Sequence, residues 1–286
     1  MRAIRKFGSL GSALCAAALS ACTPVSVLNS TVGSQGYRVE KDIPFGELSR
    51  HMLDLYIPDD VKPDAPVVVF FYGGSWKMGD KRDYKFAAQG LTTLGYVVAV
   101  PDYRLYPQAR YPAFLEDCAQ AVVWVYRNLP QHGISPENLY LMGHSAGAYN
   151  AAMLALEPSY LKKAGGNVKW LRGVVGLAGA YDFLPITGED IKLVFASEEQ
   201  LERTQPVHYA RANAPRMLLL TGSEDSIVYP TNSQSLAKAL KGKGSDATYR
   251  EYKGVGHIGI ILGLNTSFPW NKQVRQDIAA FIAEKP

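Results

Sequence analysis

The sequence predicts a doubly wound α/β fold, with a mostly parallel, eight-stranded sheet and helices on both faces. Three observations carry this. Near-continuous apolar runs, among them PVVVFFY at 66–72 and YVVAV at 96–100, read as central strands covered on both faces. Helix-length segments with an apolar stripe alternate with these runs. The residues able to do chemistry fall just after predicted strands, where ligand sites of such sheets lie.

With 286 residues, 47% hydrophobic and 20% charged, the chain can bury a sizeable core and has no signature of long disorder. The formal charge of +4 gives no nucleic-acid reading. Arg2, Arg5 and Lys6 supply three of those charges at the extreme N-terminus, and no basic stripe with interleaved aromatics follows. Cys15 and Cys22 lie in the first 22 residues and Cys118 stands alone in the body, so no disulfide framework is expected. Cys118 reads as a buried small hydrophobe.

Residues 1–21 read as a targeting segment: a basic start, then an apolar stretch too short to span a bilayer comfortably. It ends in Leu19-Ser20-Ala21-Cys22, which resembles the bacterial lipobox. That resemblance implies cleavage before Cys22, acylation of its thiol and a lipid-anchored protein of the bacterial cell envelope, on the outer membrane or the periplasmic face. The same segment without acylation would give a secreted protein. Residues 22–36 are polar and read as a tether, and 37–286 as the folded domain, since no repeat or composition break divides it.

Strands are expected at 37–43 and 51–57, the second with Leu53, Leu55 and Ile57 alternating with Asp54 and Tyr56. The run at 66–72 leads into Gly73-Gly74-Ser75-Trp76, where two glycines let backbone N–H groups approach a ligand. A helix at 83–94 stops at Gly95. The strand at 96–100 leads to Pro101-Asp102-Tyr103-Arg104. A helix at 113–128 carries Leu115, Cys118, Ala119, Val122, Val123 and Tyr126 on one face. A strand at 139–142 enters Gly143-His144-Ser145-Ala146-Gly147, a G-x-S-x-G turn that opens a helix at 146–156. Strands at 171–177, 216–221 and 248–252 and helices at 232–241 and 271–283 complete the pattern. Residues 183–210 are mixed and irregular, as a lid or binding loop would be.

A serine on a sharp strand-to-helix turn presents its hydroxyl outward, but it needs a base and an orienting acid. Among the histidines, His51 falls in an early strand and His132 in a surface loop. His144 is adjacent to the serine and shapes the pocket rather than acting as base. His257, in a glycine-flanked loop after the last strand, is the favoured base, with His208 the alternative. Asp225 is the favoured acid, ahead of Asp182 and Glu224. The backbone N–H groups of Ala146, Gly74 and Ser75 are the candidate oxyanion donors. Tyr72, Trp76 and His144 are the candidate pocket residues, with side chains from 183–210. No metal or organic cofactor is implied, because no H-E-x-x-H, paired-cysteine or phosphate-cradling glycine motif appears.

YGGSW at 72–76, DYRLYPQARYPA at 102–113, GHSAG at 143–147, GSEDSIV at 222–228 and VGH at 255–257 together resemble the α/β-hydrolase esterases of the hormone-sensitive-lipase and kynurenine-formamidase-like group. The group has HGG where this chain has Tyr72-Gly73-Gly74, a change that keeps the glycines and alters what anchors their loop. The resemblance implies that Asp102 and Arg104 stabilise that loop. It also implies a serine carboxylesterase acting on short-chain or aryl esters through an acyl-enzyme. Only about 50 residues separate Cys22 from Gly73, which leaves no room for a large N-terminal cap. Two alternatives share these residues: an arylformamidase-type amide hydrolase, and a non-catalytic surface binding protein of the same fold.

Overall fold

The structure, a computed structural model, describes residues 28–267 and 272–284. The expected leader at 1–21 and the expected lipidation site Cys22 lie outside the described residues. Eight strands form one sheet in the order β1-β2-β4-β3-β5-β6-β7-β8. They are β1 (Tyr37–Pro44), β2 (Met52–Pro58), β3 (Val67–Phe71), β4 (Val97–Pro101), β5 (Leu139–His144), β6 (Leu171–Leu177), β7 (Met217–Gly222) and β8 (Ala247–Tyr252). β1 and β2 pair antiparallel with each other, and β2 pairs antiparallel with β4. All pairs from β4 to β8 are parallel. Every residue of β3, β4, β5 and β7 is buried, as their unbroken apolar runs require.

The helices are α1 (Lys85–Thr92), α2 (Ala113–Asn128), α3 (Ala146–Leu156), α4 (Ser159–Lys163), α5 (Glu189–Phe195), α6 (Thr231–Gly242), α7 (His257–Leu262) and α8 (Lys272–Ala283). α3 is buried on all sides, against β5 and β6 beneath and α2 above. Its sequence, AGAYNAAMLAL, therefore has small apolar residues all round rather than one stripe. Among the described residues no helix is long and apolar enough to cross a membrane.

Four expectations are corrected. Residues 28–36, read as part of a tether, are packed on the domain. Val32 is buried, the Asn29 amide donates to the Arg82 carbonyl at 2.8 Å and accepts from Phe86 N–H at 3.1 Å, and Asn265 donates to Thr31 at 3.3 Å. A polar composition hides these side-chain bonds, which need partners far along the chain. The helix expected at 83–94 divides into a 3₁₀ turn, Lys81–Tyr84, capped by Asp80, and α1. The irregular stretch 183–210 contains α5 and two 3₁₀ turns, Leu201–Thr204 and Pro206–Tyr209, and its Phe195 is fully buried. His257 opens helix α7 instead of lying in a loop, because Gly256 has the extended backbone of a helix N-cap position.

Candidate active site

Ser145 sits between β5 and α3 with φ 55° and ψ −121°, a conformation that a non-glycine residue adopts only under constraint. Its flanking glycines supply the room. A Cβ on Gly147 would lie 2.0 Å from the Phe71 carbonyl oxygen, and one on Gly143 would lie 2.3 Å from the Gly147 carbonyl. Ser145 N–H donates to Leu177 O of β6 at 2.9 Å, which ties the turn to the sheet.

Asp225 and His257 meet on the neighbouring strand ends. His257 Nδ1 is 2.8 Å from Asp225 Oδ2. The other carboxylate oxygen accepts N–H bonds from Ile227 at 3.0 Å and Val228 at 2.9 Å. With Nδ1–H donated to the carboxylate, Nε2 is left as the free, basic nitrogen. The exit loops of β7 and β8 are joined by backbone bonds, Ser223 N–H to Tyr252 O and Glu224 N–H to Val255 O, both 3.0 Å. Gly222 permits this closeness, since a Cβ there would meet the Val255 oxygen at 1.9 Å. The alternatives are not brought in: His208, Asp182 and Glu224 are all exposed.

His144 faces His257, with ring centroids 4.8 Å apart. Burial, and then the neighbouring His257, pull its pKa down to about 3, so it is neutral at physiological pH. One tautomer fits the contacts: Nε2–H donates to the His257 carbonyl at 3.1 Å while Nδ1 accepts from the Tyr84 hydroxyl at 3.4 Å. Tyr84 in turn accepts the Gly73 N–H at 3.1 Å. His144 thus braces the His257 backbone and adds no second cation beside it.

The loop after β3 is the strained part. Gly74, Ser75 and Trp76 have φ of 125°, 53° and 56°. Lys77 and Met78 N–H groups donate to Gly74 O at 3.0 and 3.1 Å, closing a tight turn. The N–H groups of Gly74 and Ser75 have no hydrogen-bond partner among the described residues. The loop lies against the serine, since a Cβ on Gly73 would be 3.0 Å from Ser145 Cβ. Ala146 N–H is the first of α3, without an intrahelical acceptor, at the positive end of the helix.

Two expected pocket residues take other positions. Tyr72 is fully buried behind the loop. Its hydroxyl donates to Asp102 Oδ1 at 2.9 Å and accepts from Arg50 Nη2 at 2.6 Å, and its ring stacks on Tyr103 at 4.6 Å. Arg50 also donates to the Gly79 and Tyr103 carbonyls at 2.9 and 2.8 Å. Asp102 additionally accepts the Lys81 N–H at 2.9 Å. The phenol, where the group has histidine, therefore anchors the loop through a buried Arg–Tyr–Asp arrangement and faces no ligand. Trp76 is 3% exposed. Its positive φ turns the indole inward, where Nε1–H donates to Asn150 at 3.0 Å and the ring meets Tyr149 and Phe195 at 5.0 Å. Arg104 forks onto Asp117 of α2 at 2.7 and 2.8 Å, and Asp117 also lies 3.0 Å from His51; Asp102 thus supports the glycine loop, while Arg104 fastens the segment after β4 to α2. Cys118 is buried, 3.6 Å from the Asn150 amide.

Arg50 and Tyr84 gave no sequence signal, being an ordinary turn residue and an ordinary aromatic until the fold supplies their partners. A groove of about 1140 Å³ lies at the opposite, amino edge of the sheet, lined by Tyr37, Tyr96, Tyr140 and Arg172 among others, and touches none of the expected site residues. No group of three His, Cys, Asp or Glu among the described residues could hold a metal ion.

The chain matches the BD-FAE family over residues 53–240. It is 30% identical over 246 residues to isoprenylcysteine alpha-carbonyl methylesterase of Arabidopsis thaliana, covering 79% of this chain and 58% of that one. It is 28% identical over 229 residues to kynurenine formamidase of Danio rerio, covering 77% of this chain and 75% of that one. The chain spans less than two thirds of the length of the plant methylesterases it matches. Esterase B of Lactobacillus rhamnosis has the same fold, with a TM-score of 0.78 at 17% identity over 94% of this chain and 92% of that one. The strand order, the serine turn and these matches agree: the chain belongs to the BD-FAE family and has the α/β-hydrolase fold of the hormone-sensitive-lipase-like group.

Proposed function

We propose that the protein is a serine carboxylesterase. The observation that carries this is the Asp225–His257 pair, with one carboxylate oxygen fixed by two N–H groups and the other by the imidazole at 2.8 Å. His257 Nε2 takes the proton of Ser145 Oγ as the hydroxyl attacks the ester carbonyl. The negative charge on the former carbonyl oxygen is received by the N–H groups of Ala146 and Gly74, with Ser75 N–H beside them; each such donor supplies ~3–4 kcal/mol in related chemistry. His257 then protonates the leaving alcohol, and an acyl group remains on Ser145. Water, deprotonated by His257, releases the acid and restores the enzyme. Asp225 holds the imidazole tautomer throughout and stabilises the imidazolium. His144, kept neutral by burial, does not oppose that charge.

A fluorophosphonate probe should label the wild-type chain stoichiometrically and leave Ser145→Ala unlabelled; equal labelling of both would overturn the assignment. Short-chain and aryl esters are the substrates this reading favours. The formamidase relative supports amide hydrolysis as a second reading. The ratio of kcat/KM on phenyl formate and formanilide separates the two. The lipobox-like Leu19–Cys22 supports an envelope lipoprotein anchored through acylated Cys22. Metabolic labelling with a palmitate analogue, lost in Cys22→Ser, tests it.

A further inference from the structure

All six large hydrophobic side chains that are exposed among the described residues lie at one edge of the sheet, the carboxyl edge that carries Ser145. They are Leu48, Met78, Leu193, Ile227, Tyr229 and Ile258, 42–66% exposed. Their placement follows from topology. Met78 follows β3, in the loop whose Gly74 it abuts. Ile227 and Tyr229 follow β7, just beyond Asp225. Ile258 follows His257 in the first turn of α7. Leu193 is in α5, after β6, and that helix is tied to the β3 loop by the Lys77–Asp190 ion pair. Leu48 lies in the β1–β2 turn, which the antiparallel pairing of β2 with β4 brings to the same edge, where Arg50 bonds Gly79 beside Met78. Isolated exposed apolar residues are ordinary, but six at one edge and, among the described residues, none elsewhere make an apolar rim.

The N-terminal chain arrives at that edge too. Asn29 bonds to Arg82 O and to Phe86 N–H in the first turn of α1, and that helix end sits just beyond the β3 loop. Seven residue steps separate Asn29 from Cys22. Fully extended they span at most ~25 Å. An acylated Cys22 would therefore hold the carboxyl edge, and not the far side of the domain, close to the bilayer.

We propose that this rim docks on a lipid surface, so that the mouth of the site opens onto the membrane and receives esters dissolved in it. This rests on the esterase reading for its substrate, and for its docking on the rim and on the edge where the N-terminal chain arrives. Tyr229 has the amphipathic ring that settles at headgroup depth, and the aliphatic side chains around it enter the acyl boundary.

The test uses the full-length processed protein on phosphatidylcholine vesicles with brominated acyl chains. Tryptophan introduced by Tyr229→Trp should shift its added emission to the blue and lose about half of it, whereas Lys62→Trp, at the amino edge, should show neither change. Separately, Tyr229→Lys and Leu193→Lys should each lower the ratio of rates on vesicle-embedded p-nitrophenyl laurate and soluble p-nitrophenyl acetate at least fivefold. Equal quenching at both positions, no quenching at position 229, or an unchanged rate ratio would overturn the docking. Absence of acetate hydrolysis in the wild type would overturn the esterase reading instead, and the quenching would still decide the docking.

Discussion

On the Gly73 side of Ser145, three consecutive residues hold left-handed φ values, and the loop is pinned by the side chains of Arg50, Tyr72 and Asp102, with the Lys81 backbone N–H donating to Asp102. On the Asp225 side the loops of β7 and β8 are relaxed and close on each other through backbone bonds, with one carboxylate at their centre. Both sides end at the same serine. The strained side needs a buried charged support because its N–H groups must point away from any internal acceptor. The relaxed side needs only a tight crossing at Gly222. Substitutions on the relaxed side should therefore cost catalysis with little stability, and those supporting the strained side should cost stability first.

The largest effect should come from Asp225→Asn. The amide oxygen can still accept the Ile227 and Val228 N–H groups, but the imidazole loses its tautomer control, so kcat should fall ~10⁴-fold. Thermal unfolding should move little, and calorimetry beside ester kinetics measures both; a large loss of stability would break the comparison. Gly74→Ala comes next. Its Cβ would lie 2.1 Å from the Met78 carbonyl oxygen at φ 125°, so the loop must move and its donors with it. A fall in kcat of ~10²–10³-fold is expected. Normal kcat in this variant would remove Gly74 from the oxyanion site.

Tyr72→Phe sharpens the comparison from the other direction. It removes a buried hydroxyl that bonds Asp102 and Arg50, which should destabilise the fold by ~1–3 kcal/mol in denaturant titration while kcat changes less than about tenfold. The last effect concerns pH. His144 has an ordinary value of 6.5 and about 3 when folded, so the unfolded chain binds a proton in that window that the folded one does not. Its contribution is fully present above pH 6.5 and is lost as pH falls toward 3. Urea midpoints at pH 7, 5 and 4 should decline less steeply in His144→Asn than in the wild type.

What the sequence made legible follows the same division. β6 and the helices α2 and α3 have the expected bounds, because their apolar patterns are local and continuous. Asp225 and His257 meet because each follows its own strand, and parallel neighbours bring strand ends together. Of the strained loop's support only Asp102 is legible, through the resemblance; its partners Arg50 and Tyr72 are not, since the three are 22 to 52 residues apart and only the fold unites them. Trp76 read as a pocket residue because an aromatic beside a ligand loop ordinarily is one. Its positive φ, a property of three-dimensional strain, sends it into the core. The helix α5 escaped notice because its burial depends on Trp76 and Tyr111 beneath it.

The segment at 28–36 has a consequence in time. Thr31 is fastened by Ser267, 236 residues later in the chain. At a synthesis rate of roughly 5–20 residues per second, the partner emerges roughly 10–50 s after the segment it secures. The first part of the domain to be made is thus among the last to be locked, and every strand of the sheet precedes its latch out of the ribosome.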